Sequence, residues 1–265
     1  MGGNTTLTPE NFSRLLRMRH YALTYQQLIR QAAAQGFADR ELVDIRVCYD
    51  MAVRLTDGLY RKQMVPFICH LVRTGSIVMY ESRELPPVLA SMLHAVFFLH
   101  VFSGSTRRGA RKKDRQMVRN TVGSEVESFI SDYSCFKWGP SVAARWSESL
   151  DNVDGRTHQL LIMRLADELE DHLDAAEAFV PRGQFRAGDS TYGQEYVDLA
   201  RSMGRNSLAA DFEEALEISQ LARLPDGVLS PHLSSFEVRD RLMCANPIER
   251  LGSWVRCRRM RRSDR

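Results

Sequence analysis

Lysine is scarce in this chain. Only Lys62, Lys112, Lys113 and Lys137 occur among 36 basic residues in a total of 265. The rest are arginines, which pair bidentately with phosphate and carboxylate. Cysteine is sparse and scattered: Cys48, Cys69, Cys135, Cys244 and Cys257 form no Cys-x-x-Cys pair. An odd, dispersed set argues against a disulfide framework and against a thiolate zinc site. Cys48 and Cys69 sit among apolar neighbours and read as small buried hydrophobes. Strand signals are almost missing. No long run alternates with period two, and no Asn-Gly hairpin turn appears. No repeat recurs at a fixed period. Long apolar runs are missing too. The most apolar stretch, Val88 to Phe102, is too short to span a bilayer easily and carries His94 and His100. The segment Met1 to Thr6 is polar and lacks a signal-peptide profile. These absences predict a cytoplasmic protein with no transmembrane segment.

What is present is helix. Hydrophobic residues at 44% and charged residues at 26% suit a globular chain and exclude a disordered or collagen-like one. Thr8-Pro9-Glu10 is a helix start, with a capping hydroxyl, a proline in the first turn and an acid at the positive dipole end. Helical patterns then run over 8–22, 24–34, 39–60, 66–79, 86–102, 111–121, 123–134, 140–149, 156–177, 191–203, 206–223, 235–243 and 246–260. Glycine and proline fall mainly between them, and 181–190 reads as a surface connection or lid. The expectation is a single all-α domain over 1–265. The net charge of +3 is unevenly spread. Arg250 to Arg265 carry +6 and Arg107 to Arg115 carry +5, so the remainder is acidic at −8.

Three polar placements break the apolar pattern of the central helices. His70 lies in Pro66-Phe67-Ile68-Cys69-His70-Leu71-Val72, and His94 lies in Met92-Leu93-His94-Ala95-Val96. Asp167 and Asp171 stand four apart in the segment 156–177, on one helix face. Buried polar groups need partners. Two imidazoles and a carboxylate suit one divalent ion, Mn²⁺, Fe²⁺ or Zn²⁺, with open positions for water or substrate. The alternative is a pair of buried hydrogen-bonded histidines, with Asp167 paired to Arg61 or Arg164.

In this order the segments resemble the HD-domain superfamily, and within it the RelA/SpoT-type hydrolase domain that removes the 3′ pyrophosphate of ppGpp and pppGpp. Tyr60-Arg61-Lys62 with Pro66-Phe67-Ile68 and His70 resembles that family's Tyr-Arg-Lys…Pro-Tyr-Ile…His segment. Leu93-His94-Ala95-Val96 resembles its Leu-His-Asp-Val, Val122-Gly123-Ser124-Glu125-Val126 its Phe-Gly-x-Glu-Val, and Leu165-Ala166-Asp167-Glu168-Leu169 its Leu-Ala-Asp-Arg-Leu. The resemblance covers about half the chain. It implies an HD-like helical bundle over about 39–177; this chain's own pattern adds further helices at both ends, with a helical extension over about 190–250 and a basic tail over 250–265. The resemblance also implies His70, His94 and Asp167 as metal ligands and Arg61 as a nucleotide contact. The departures are specific. Ala95 replaces the aspartate of the His-Asp pair, Phe98-Leu99 stand where the family has two acids, and Asp171 stands where it has asparagine.

Three function classes follow. The first is a divergent metal-dependent phosphohydrolase acting on a nucleotide or other phosphorylated small molecule. Asp171 or His100 would replace the missing base, and Arg107, Arg108 and Arg111 beside Arg61 would attract phosphate. The second is a non-haem iron oxygenase on the same scaffold. The third is a non-catalytic ligand-binding or interaction protein. The arginine-rich tail has no interleaved aromatics beyond Trp254 and matches no nucleic-acid motif, so no specific nucleic-acid partner is expected.

Overall fold

The computed structural model describes residues 20–61, 65–95, 108–150, 153–177 and 193–221. Among them the chain is all-α. Ten helices follow one another: α1 Tyr25–Ala34, α2 Asp39–Thr56, α3 Phe67–Ser82, α4 Leu85–Leu93, α5 Arg108–Val122, α6 Ser124–Cys135, α7 Pro140–Ser147, α8 Gly155–Glu177, α9 Gln194–Ser202 and α10 Asn206–Leu221. The described residues hold no strand, only an isolated antiparallel bridge between Tyr60 and Pro66. No described helix is long and apolar enough to cross a membrane.

Local chemistry sets the boundaries. Thr24 and Gln27 form a capping box at the start of α1. α2 stops at Thr56, short of the expected residue 60, because Gly58 turns the chain at φ +69°. α3 ends where Arg83 takes a left-handed conformation at φ 56°. α4 begins two residues later, with Pro86 and Pro87 in its first turn. α3 and α4 therefore form a tight helical hairpin. Gly75 packs against Met92 across it: a Cβ there would stand 2.6 Å from Met92 Cγ.

The sequence pattern predicts one helix over 86–102, but α4 ends at Leu93, and His94 and Ala95 follow in a turn. His94 is thus a helix-terminal residue rather than an interior one. Phe98, Leu99, His100 and Arg107 lie outside the described residues, as do the tail, the expected helices after residue 221 and residues 8–19 of the helix expected over 8–22, whose described residues 20–22 are not helical. The long helix α8 is the hub of the core. It packs on α3, α4, α6 and α10, while α9 joins α7 to α10. Its inward residues Leu161, Ile162, Leu165, Ala166 and Leu169 are fully buried.

Candidate metal centre

The hairpin brings the two histidines together. His70 lies in the first turn of α3 and His94 caps the end of α4, so both stand at the end of the hairpin away from Arg83. α8 crosses this end and supplies Asp167. His70 Nε2 and His94 Nε2 are 3.4 Å apart. Asp167 Oδ1 is 3.3 Å from the first and 3.4 Å from the second. Donors about 2.1 Å from one ion stand about 3.0 Å apart at a right angle and about 3.4 Å apart at a tetrahedral angle. The triangle fits one ion bound from one side.

The outer hydrogen bonds point the same way. A ligating histidine commonly donates its other ring N–H to a carboxylate or a backbone carbonyl. His70 Nδ1 donates to Glu170 Oε2 at 2.5 Å. His94 Nδ1 donates to the Ser91 carbonyl at 2.5 Å. That carbonyl is in the last turn of α4, where no further helical N–H is available. The early end of α4 therefore orients the His94 ring. Both Nε2 atoms are left facing Asp167. The far oxygen of Asp167, Oδ2, accepts from the Tyr133 hydroxyl of α6 at 2.6 Å. The histidine side chains are almost fully buried, while that of Asp167 is 26% exposed, so solvent reaches the triad from the aspartate side.

Charge follows this geometry. Burial raises the Asp167 carboxyl, but the His94 and His70 imidazoles outweigh it and hold the carboxyl well below the usual range. Burial disfavours a charged His70, yet Glu170 and Asp167 prevail and push it up to about 9. Without an ion, His70 is an imidazolium bridging two carboxylates, and a cation must displace its proton.

A second cluster lies one turn along α8. Arg61 Nη1 and Nη2 donate to Glu170 and Asp171, and Nε lies 3.6 Å from Asp174. Arg61 Nη1 also stands 2.7 Å from His70 Nδ1. Two N–H groups cannot bond each other, and Glu170 Oε2 accepts from both. Burial opposes ionisation of Glu170, but His70 and Arg61 lower its carboxyl to about 2. Burial wins at Asp174, which rises to about 6 despite Arg61.

The structure thus brings His70, His94 and Asp167 together. Asp167 faces the two imidazoles and Tyr133, while Arg61 is engaged by the three other acids. Asp171 is the most exposed acid of that cluster, with 31% of its side chain accessible. The side chains of Arg108 and Arg111 lie outside the description; Lys112 and Lys113 beside them are exposed. Glu125 of the Gly-x-Glu-Val segment is exposed, and the buried acid there is Glu127, held by Arg115 and Arg119.

Sequence reasoning missed Glu170 and Tyr133. A signal for Glu170 was available: acids at 167, 170, 171 and 174 recur at helical spacing on one face of a core helix. Tyr133 continues the apolar stripe of Val126, Phe129 and Ile130, and nothing local marks its hydroxyl. Compared with known proteins, the chain matches no family model and no curated sequence.

Proposed function

We propose that this chain is a divergent HD-like, metal-dependent phosphohydrolase acting on a nucleotide or other phosphorylated small molecule. One divalent cation would be held by His70, His94 and Asp167. The observation that carries this reading is the triangle of two imidazole nitrogens and one carboxylate oxygen, 3.3–3.4 Å apart, with both remaining ring N–H groups committed elsewhere. When bound, such an ion polarises a phosphoryl oxygen and acidifies a water. The protein's own part is to fix and shield. Glu170 and the Ser91 carbonyl hold the two rings, and Tyr133 holds the aspartate. Asp171, on the same face of α8 as Asp167, is the candidate proton acceptor at the more open side of the neighbouring cluster. Phosphate attraction falls to the basic start of α5, where Lys112 and Lys113 are exposed, since Arg61 is engaged by acids.

Metal analysis of protein purified without chelator tests this reading. One equivalent per chain, lost in His94→Ala, together with phosphate release from nucleotides, supports it. Substoichiometric metal that His94→Ala leaves unchanged contradicts it. Two imidazoles and one carboxylate also suit Fe²⁺. Iron with dioxygen-dependent turnover would replace the hydrolase reading by an oxygenase one. The non-catalytic alternative draws on the high affinity of His70 for its own proton, which lets the triad close on itself as an ion-pair network.

A further inference from the structure

Tyr133 is better fixed than a core tyrosine needs to be. Its hydroxyl donates to Asp167 Oδ2 at 2.6 Å. Its ring meets the His94 ring edge-on, with centroids 5.2 Å apart. The Arg164 guanidinium lies over the Tyr133 ring, 3.5 Å from its centroid. The same guanidinium donates from Nη2 to the carbonyls of Tyr133 at 2.5 Å and Phe136 at 3.0 Å. Arg164 thereby takes two carbonyls at the C-terminal end of α6 and clamps the tyrosine from above. Arg164 and Asp167 are one turn apart on α8, so one helix supplies both the clamp and the group that Tyr133 addresses.

A carboxylate has two oxygens and can give a cation one or both. Here one oxygen faces the histidines and the other faces a buried O–H. We infer that Tyr133 is a positioning residue that restricts Asp167 to a single donor oxygen and so keeps a coordination position at the triad open to an anion. The inference rests on the proposed metal reading and adds what separates an open site from a closed one. In structural sites the protein fills the coordination sphere; catalytic sites keep a position free. Without the Tyr133 hydroxyl, Asp167 Oδ2 has no donor from α6 and turns toward the cation. The residue touches no substrate in this account.

The test uses the full-length chain with Co²⁺ as probe and inorganic phosphate as the anion. In the parent, Co²⁺ binds one to one, its visible spectrum is that of a low-coordinate ion, and phosphate perturbs it. Tyr133→Phe removes one oxygen and keeps the ring between His94 and Arg164. The variant is expected to bind Co²⁺ still, to lose visible intensity as coordination rises, and to bind phosphate about tenfold more weakly. A merely structural role would lower Co²⁺ affinity and leave the spectrum of the bound form alone. That result, or an unchanged spectrum and phosphate response, overturns the inference while the metal reading stands. Failure of the parent itself to bind Co²⁺ overturns both. Should Tyr133→Phe not fold, infrared carboxylate bands of the parent decide between one donor oxygen, as expected, and two, which contradicts the inference.

Discussion

Asp167 and Glu170 stand three residues apart on α8, and both face His70. Their surroundings handle buried charge in opposite ways. Around Glu170 the protein supplies its own permanent cation: Arg61 joins Glu170, Asp171 and Asp174. At Asp167 two imidazole nitrogens and a carboxylate oxygen converge, and the nearest counter-charge is a proton on His70. Arginine does not release its charge at any relevant pH. A histidine proton can be exchanged for a metal ion. The first cluster carries a permanent internal counter-charge, and the second is the one where the proposed cation would take the place of a proton.

The largest expected effect breaks the first half of this contrast. Arg61→Ala leaves three acids around a missing guanidinium, two of them buried, and should cost about 3–5 kcal/mol of stability in urea unfolding. The loss should persist with or without added metal. A cost below about 1 kcal/mol would place Arg61 outside the structural framework.

In the metal-free protein pH acts on the triad through His70. His70 titrates near 9 when folded, above its ordinary 6.5. Its contribution is therefore complete below about pH 6.5 and is lost as pH rises through 9, a difference of about 3 kcal/mol. Glu170, lowered to about 2, acts in the other direction, and its contribution fades as pH falls from about 4.5. Chelated protein should lose stability from neutral to alkaline pH, and saturating Zn²⁺ should remove that slope. A His70→Asn variant with the same slope would assign it elsewhere.

A smaller effect tests the hairpin that aligns the two histidines. In Gly75→Ala the added methyl meets Met92 Cγ at 2.6 Å, so α4 must shift or Met92 must repack. About 1–3 kcal/mol of stability should be lost. Metal affinity should fall as well, because His94 rides on α4. Unchanged affinity would show that the end of α4 is set independently of the hairpin contact.

The smallest expected effect on stability is at the more open edge of the arginine cluster. Asp171→Asn removes one of the three acids around Arg61, at a partly exposed position. About 1 kcal/mol or less should be lost. Metal stoichiometry should not change, whereas phosphate release should fall by about 100-fold or more. Intact turnover would remove Asp171 as proton acceptor.

Much of this was legible in the sequence because it is local. The start of α1, the proline start of α4 and the extent of α8 follow from caps, prolines and helical periodicity. His70, His94 and Asp167 stand out because each interrupts an apolar pattern. The supporting groups do not, because their meaning is tertiary. Glu170 meets His70 across a separation of 100 residues, and Tyr133 meets Asp167 across 34. The end of α4 was hidden for another reason. The apolar run continues past Leu93, so composition favours helix while the His94 side chain takes the Ser91 carbonyl. Arg61 matched a nucleotide-contacting position by motif, but its partners are set by an acidic stripe on a helix more than 100 residues away.

The histidine–aspartate triangle is proposed to accept one divalent cation, and the neighbouring arginine cluster none. Titration of the chelator-stripped chain with Zn²⁺, monitored by calorimetry at neutral pH, tests it most directly. One equivalent should bind with proton release from His70, a binding abolished in His94→Ala and retained in Asp171→Asn. No binding, or binding that His94→Ala leaves intact, would contradict it.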